Sequence, residues 1–277
     1  MGMRVSTNIA AINAQRNLTT SQGNIQSSLA KLSSGSRINK AADDAAGLAI
    51  SENLKGQIRS TRQANRNAND GISMVQVAEG GLNEIGNIIT RMRELGIQAS
   101  SDTIGESERG FIDKEIQQLK DEAQRISSVT KWGTTKLLDG TTPVFDFQVG
   151  VFNNDAEDRI SFDASQNVAT LDALGLDGLD YTSKEGAQTA LSSLDEAQMN
   201  VNGMRSNLGA LQNRLMSTVN NLGTAEENLS AANSRIRDTD VAEASSELTR
   251  NNIMLQASTA TLAQANQSNS VALKLIG

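Results

Sequence analysis

From Leu194 to Ile236 an aliphatic residue returns at every seventh position: Leu194, Val201, Leu208, Leu215, Leu222, Leu229 and Ile236. A second row, Ala197, Met204, Leu211, Thr218, Ala225 and Ala232, lies three positions behind each. This is the a/d pattern of a helix pressed along another helix, held for about six repeats where three or four are enough to argue for a coiled coil. No proline interrupts Leu191 to Ile236. The stretch therefore predicts one helix of about 69 Å at a rise of about 1.5 Å per residue. Such a seam needs a partner of similar length, and the small residues of the second row let that partner come close.

The chain supplies a partner in its other half. Val75, Ala78, Leu82, Ile85, Ile89 and Met92 repeat the a/d spacing, in a helix predicted from Asp43 or Asp44 to about residue 99. An acidic side chain at that start can accept from free amide groups and face the positive helix end. Gly56, Gly71, Gly80, Gly81 and Gly86 interrupt this helix. Each costs up to about 1 kcal/mol against alanine, a cost acceptable where a glycine admits a close neighbour. Residues 5 to 33 predict an earlier helix on Val5, Ile9, Ile12, Leu18, Ile25, Leu29 and Leu32, broken at Leu32-Ser33-Ser34-Gly35-Ser36. Ser100 to Gly110 reads as a loop. Ile112, Ile116, Leu119, Ala123 and Ile126 then give a third helix, ending at Trp132-Gly133.

Beyond the only proline, Pro143, the period changes. Phe145, Phe147, Val149 and Val151 alternate as in a strand; Asn153-Asn154-Asp155 supplies turn chemistry, and Ile160 with Phe162 suggests the returning strand. After Ile236 the polar run Arg237 to Asp240 breaks the heptad phase, and Val241, Leu248, Leu255 and Leu262 restart it. The expected fold is mainly α: long antiparallel helices in coiled-coil packing, with a small β-hairpin region in mid-chain. The intramolecular seam is expected to hold Leu82, Ile85, Ile89, Leu194, Val201, Leu208, Leu211, Leu215, Leu222 and Leu229.

Composition narrows the chemistry. The chain has no cysteine, so disulfides and thiolate metal sites are excluded. It has no histidine, the commonest general base and metal ligand. Aromatics make up 3% of the residues, too few for a thick globular core. A net charge of −7, with basic residues scattered apart from Arg59, Arg62 and Arg66, argues against nucleic acid as a partner. No apolar run is long enough to cross a bilayer, and the N-terminal residues lack the apolar core of a cleavable signal peptide. Asp43-Asp44 reads as a helix cap. Asn153, Asp155, Glu157 and Asp158 carry ligand oxygens, but the glycine of a calcium loop is absent at the sixth position, so a solvated hairpin tip is expected. The expectation is no enzyme, no cofactor, and no catalytic or metal site.

Longer motifs carry a resemblance. Leu32-Ser33-Ser34-Gly35 with Arg37-Ile38-Asn39, followed by Asp43-Asp44-Ala45-Ala46-Gly47, closely resembles the N-terminal signature of bacterial flagellin. Arg66-Asn67-Ala68-Asn69-Asp70-Gly71-Ile72-Ser73 and Glu79-Gly80-Gly81-Leu82-Asn83-Glu84-Ile85 look like its continuation. At the other end, Ser234-Arg235-Ile236 with Asp238 and Asp240, then Leu262-Ala263-Gln264-Ala265-Asn266-Gln267, is similar to the C-terminal signature. The likeness covers about residues 3 to 138 and 184 to 277. It departs at Ser268-Asn269-Ser270, where family members often have proline.

The resemblance implies a structural subunit that self-assembles into the flagellar filament for swimming motility, exported unfolded through the flagellar type III channel and extracellular once assembled. It implies that residues 1–43 and 237–277 form the inner filament core, with Val5, Ile9, Ile12, Leu18, Leu248, Leu255 and Leu262 serving assembly. Residues 44–138 and 184–236 would form a helical rod domain, with 139–183 a short β-rich insertion in place of large outer domains. The chain ends would order on assembly. Implied partners are many copies of the chain itself, a flagellar secretion chaperone, and cap and junction proteins, with no membrane insertion. Arg91 to Gln98 resembles the segment seen by the host Toll-like receptor for flagellin, and Arg91, Leu95 and Glu115 match its contacts by position. Two other classes share part of the pattern. A hook–filament junction protein has similar terminal helices, and a soluble coiled-coil adaptor would explain the heptads but not the matched ends.

Overall fold

The structure, a computed structural model, describes residues 7–141 and 144–274, with the side chains of the last helix described as far as Gln267. Val5 and Pro143 lie outside the described residues. In chain order the helices are α1 (Ile9–Ser34), α2 (Ala45–Ala99), α3 (Glu106–Val129), a single-turn α4 (Asp155–Asp158), α5 (Lys184–Arg237) and α6 (Val241–Lys274). The strands are β1 (Lys131–Trp132), β2 (Thr135–Lys136), β3 (Phe145–Gln148) and β4 (Arg159–Phe162). The protein is mainly α, as the periodicity predicts. The chain packs as two units, one from Met1–Gly56 with Asn228–Gly277 and the other from Gln57–Glu227.

The second unit is built on the antiparallel packing of α2 and α5. Arg62 Nε donates to Glu226 Oε1 at 2.6 Å, Asn65 Nδ2 to the Val219 carbonyl at 3.4 Å, and Arg93 Nε to Asp195 Oδ1 at 2.6 Å. Gly86 faces Gln198 and Val201, and Gly96 faces Leu191 and Leu194. Numbers rise along one helix as they fall along the other. Along this line Leu82, Ile85, Ile89 and Met92 of α2, with Leu194, Val201, Leu208 and Leu215 of α5, are fully buried. Burying each such side chain contributes about 1.5–3 kcal/mol, which fixes register more strongly than the exposed ion pairs beside it.

α3 adds Ile112, Ile116 and Ala123 to the same core. It begins at Glu106, four residues before the expected end of the loop at Gly110, with Glu106 and Glu108 in its positive first turn. It ends at Val129, where Thr130 turns into β1, so Trp132 lies in a strand rather than at a helix end. Arg109 is buried and donates to the carbonyls of Ala99 (2.8 Å) and Ser101 (3.0 Å), satisfying groups left open at the end of α2.

The β1–β2 hairpin pairs Trp132 with Thr135 across Gly133, whose φ of +60° suits glycine. The β3–β4 pair is antiparallel with Phe145 opposite Phe162, their rings stacked 6.0 Å apart. Val151 lies beyond β3. The expected solvated tip is exposed over residues 152–157 and carries the single turn α4, whose last residue, Asp158, is buried and accepts from the Asn154 amide at 2.9 Å. The following segment runs back over α3. Gln124 Oε1 accepts from the Leu171 amide, while the buried Lys120 ammonium donates to the carbonyls of Asp177 (3.1 Å) and Leu179 (3.2 Å). Burial lowers the Lys120 pKa, because desolvation penalises its charged form.

In the first unit α1 and α6 pair antiparallel. Asn8 caps α1 by accepting from the Ala11 amide and donates to the Ala265 carbonyl at 2.9 Å. At the other end of the pair, the Arg37 amide donates to the Arg237 carbonyl at 2.6 Å and the Thr239 amide to the Gly35 carbonyl at 3.0 Å. Gly35 ends α1 with φ +68°. Asp44, just before α2, accepts from the Gly47 amide at 2.8 Å, the capping expected from sequence. Asp43 accepts from the amides of Lys40 and Asn39, which hold its carboxyl below the usual carboxylate range.

Candidate assembly surface

The α1–α6 seam follows a phase of its own. On α1 the half- or fully buried positions, apart from Lys31, are Ala11, Ala14, Leu18, Ser21, Ile25, Ser28 and Leu32, at alternating spacings of three and four. On α6 they are Ala244, Leu248, Asn251, Leu255, Ser258, Leu262 and Ala265, with the same alternation. Each helix thus presents one row of Leu or Ile and one row of Ala, Ser or Asn. The small row brings the backbones close but buries little apolar area, so this pair is held less firmly than the α2–α5 seam.

What the seam excludes is left outside. Ile9 is 62% exposed, Ile12 48%, Leu29 50%, Val241 64%, Ile253 61% and Met254 53%. Single exposed aliphatics are ordinary, but six large ones on a two-helix pair mark an interaction surface. Of the residues expected to serve filament assembly, Ile9 and Ile12 point outward. Leu18, Leu248, Leu255 and Leu262 sit half-buried in the intramolecular seam, and Val5 lies outside the described residues. Sequence reasoning missed the outward roles of Leu29, Ile253 and Met254. The signal was present: once Leu18, Ile25 and Leu32 set the phase, Ile9, Ile12 and Leu29 fall off it.

The seam residues named from sequence divide by depth. Leu82, Ile85, Ile89, Leu194, Val201, Leu208 and Leu215 are buried, while Leu211, Leu222 and Leu229 are half-buried. Leu211 packs against the second unit's core from its edge.

The structure does not place Arg91, Leu95 and Glu115 on one exposed face. Arg91 and Glu115 are exposed and joined at 2.9 Å, and Arg91 also donates to Glu94 at 3.0 Å. The Glu115 and Glu94 carboxylates raise the Arg91 pKa. Leu95 is 3% exposed and belongs to the core beneath them, one position before Gly96 on the inward side of α2.

The remaining polar groups serve structure. The Tyr181 side chain is fully buried and its hydroxyl has no hydrogen-bond partner; burial raises its pKa to about 12. Among the described residues no group of three or more acidic side chains is placed to hold a metal ion, and no helix is long and apolar enough to cross a membrane. The arrangement offers surfaces for protein contact.

Comparison with known proteins gives the same picture along the sequence. Residues 5–142 match the bacterial flagellin N-terminal helical region, and residues 191–276 its C-terminal helical region. Flagellin of Halalkalibacterium halodurans is 45% identical over 274 residues, covering 99% of this chain and 100% of the relative. Flagellin of Bacillus subtilis is 41% identical and a flagellar filament core protein of Brachyspira hyodysenteriae 42%, each with 99% of this chain and 100% of the relative covered. Among solved structures, the flagellin of Bacillus cereus aligns with a TM-score of 0.51 at 28% identity, over 61% of this chain and 94% of that one.

Proposed function

The chain belongs to the bacterial flagellin family, a family of structural filament subunits, and from that premise we propose how its two units divide the work of building a flagellar filament. The protein polymerises with copies of itself. In this reading residues 1–43 and 237–277 form the inner core of the filament. Residues 44–138 with 184–236 form the surrounding helical domain, and 139–183 its short β-rich cover. The assembled subunit is extracellular and reaches the filament by the flagellar export route.

The observation that carries this assignment is the set of exposed aliphatic side chains on α1 and α6. The pair uses its small residues and leucines to hold itself together, and leaves Ile9, Ile12, Leu29, Val241, Ile253 and Met254 uncovered. Among the described residues of one chain nothing further covers them, whereas neighbouring copies would. The thin α1–α6 seam also implies that ordering of the ends is coupled to assembly, because the apolar area one pair buries alone offsets little of the entropy lost on fixing two long helices. The same exposed C-terminal helix suits a secretion chaperone before export, and cap and junction proteins would meet the same surfaces at the filament ends. For the Toll-like receptor for flagellin, the exposed Arg91–Glu115 pair is the contact this structure favours, and Leu95 would act through the core that carries it.

Deletion of residues 241–277 tests the proposal. The truncated chain should fail to elongate filament seeds while keeping most of the helical signal of the second unit. Filaments formed by the truncated chain, or strong protection of α6 amides from exchange in the free full-length chain, would refute it.

A further inference from the structure

Of the eight methionines, Met1 and Met3 lie outside the described residues, Met204 is half-buried, and the other five fall into two sets. Met74 and Met92 are buried in the second unit's core at 2% and 0% exposure. Met199, Met216 and Met254 are 69%, 48% and 53% exposed. Among these three, only Met254 belongs to the α1–α6 pair, where it is one of the exposed apolar side chains. With Ile253 it forms the apolar part of a shallow groove of about 480 Å³ along α6, completed by Ser246, Thr249 and Arg250. The chain has no cysteine, so a thiol cannot intercept an oxidant first. A thioether is then the softest oxidisable group, and its accessibility decides which one reacts.

We propose that Met254 is an oxidative modification site that gates self-assembly: peroxide converts its thioether to the sulfoxide, and the modified subunit no longer docks on a second copy of the chain. This rests on the reading of the exposed apolar side chains of the α1–α6 pair as inter-subunit contacts. In the step, a sulfur lone pair attacks one peroxide oxygen. The S–O bond forms as the O–O bond breaks, and the departing hydroxide takes up a proton and leaves as water. Sulfur loses two electrons and hydrogen peroxide gains them. The product carries a strong hydrogen-bond acceptor where the contact offers an aliphatic surface. Assembly must then bury that acceptor without a donor, whereas the free subunit keeps it in water at no cost. Because the reverse reaction is enzymatic, the modification is reversible. Met199 and Met216 react as readily but belong to α5 in the second unit, not to the α1–α6 pair, and their oxidation leaves assembly unchanged.

The test uses the full chain. Purified monomer is treated with hydrogen peroxide, the sites are mapped by peptide mass spectrometry, and elongation from filament seeds is followed by sedimentation. Sulfoxide should be found at Met199, Met216 and Met254 and be absent from Met74 and Met92. The critical concentration of the oxidised wild type should rise about five- to 150-fold, the range for burying one unpaired polar group. M199L/M216L should show the same rise, whereas M254L should elongate equally well before and after treatment. M254Q, untreated, should imitate the oxidised wild type. Oxidised wild type that elongates normally, or M254L that remains sensitive, overturns the proposal while leaving the assembly reading intact. Untreated wild type that fails to elongate seeds overturns both.

Discussion

Adjacent glycines in α2 should respond to the same substitution with opposite signs. A Cβ added at Gly80 meets nothing within 4 Å. One added at Gly81 falls 2.7 Å from Thr130 Oγ1, 2.9 Å from Leu138 Cδ1 and 3.1 Å from Thr130 Cγ2. Neither neighbour yields easily: Leu138 is fully buried, and Thr130 Oγ1 is held by its 2.7 Å bond to the Ile126 carbonyl. Alanine in place of a mid-helix glycine stabilises by about 1 kcal/mol through helix propensity and a less flexible unfolded chain. Overpacking a filled site costs about 1–3 kcal/mol. Gly80→Ala should therefore gain about 1 kcal/mol, and Gly81→Ala should range from neutral to a loss of about 2 kcal/mol. At about 2–4 °C per kcal/mol for a chain of this size, thermal melts followed by far-UV circular dichroism should separate the two variants by at least about 2 °C, with Gly80→Ala the higher. Equal rises in both would mean that the Thr130–Leu138 turn does not pack on α2, and the account of how the β1–β2 region is anchored would fail.

Other perturbations probe the core and its polar inclusions. Leu215→Ala removes a fully buried side chain and should cost about 2–5 kcal/mol, whereas Leu222→Ala, half-buried in the same row, should cost clearly less; equal losses would refute the depth gradient along α5. Tyr181 is the only tyrosine, so phenolate absorbance in the folded chain should rise with a midpoint near pH 12, against about 10 when unfolded. Its folded pKa is raised, so the stability linked to it is intact below about pH 10 and is lost as pH climbs towards about 12. A folded-state midpoint near 10 would place that ring in solvent. Leu95→Ala should lower the melting temperature as a core truncation does, about 2–5 kcal/mol, while Arg91→Ala, which removes exposed ion pairs, should cost no more than about 1 kcal/mol. The reverse order would mean that Leu95 lies at the surface.

Heptad arithmetic made the α2–α5 pairing legible, because both rows keep phase over long stretches and the fully buried residues are those it selects. The Asp44 cap and the β3–β4 pair were legible from local chemistry. The α1 seam is only partly legible, because beside Leu18, Ile25 and Leu32 it runs through Ala11, Ala14, Ser21 and Ser28, small residues that carry little hydropathy signal. Lys120, Arg109 and Tyr181 read as ordinary surface or turn residues. Their burial depends on where residues 167–183 and the α2–α3 turn come to lie, which no local pattern encodes. β1, β2 and α4 are too short for periodicity to register.

Seeded elongation of Ile253→Ser bears most directly on the central claim that the exposed aliphatics of α1 and α6 are the contact between copies. Ile253 is 61% exposed in the single chain, so the substitution should leave its helical content and melting within about 0.5 kcal/mol of the wild type. If neighbouring copies bury it, each added subunit forfeits about 1.5–3 kcal/mol, and the critical concentration measured by sedimentation should rise about tenfold to 150-fold. A variant that elongates seeds at the wild-type critical concentration would show that this face stays open in the filament, and the assignment would be wrong.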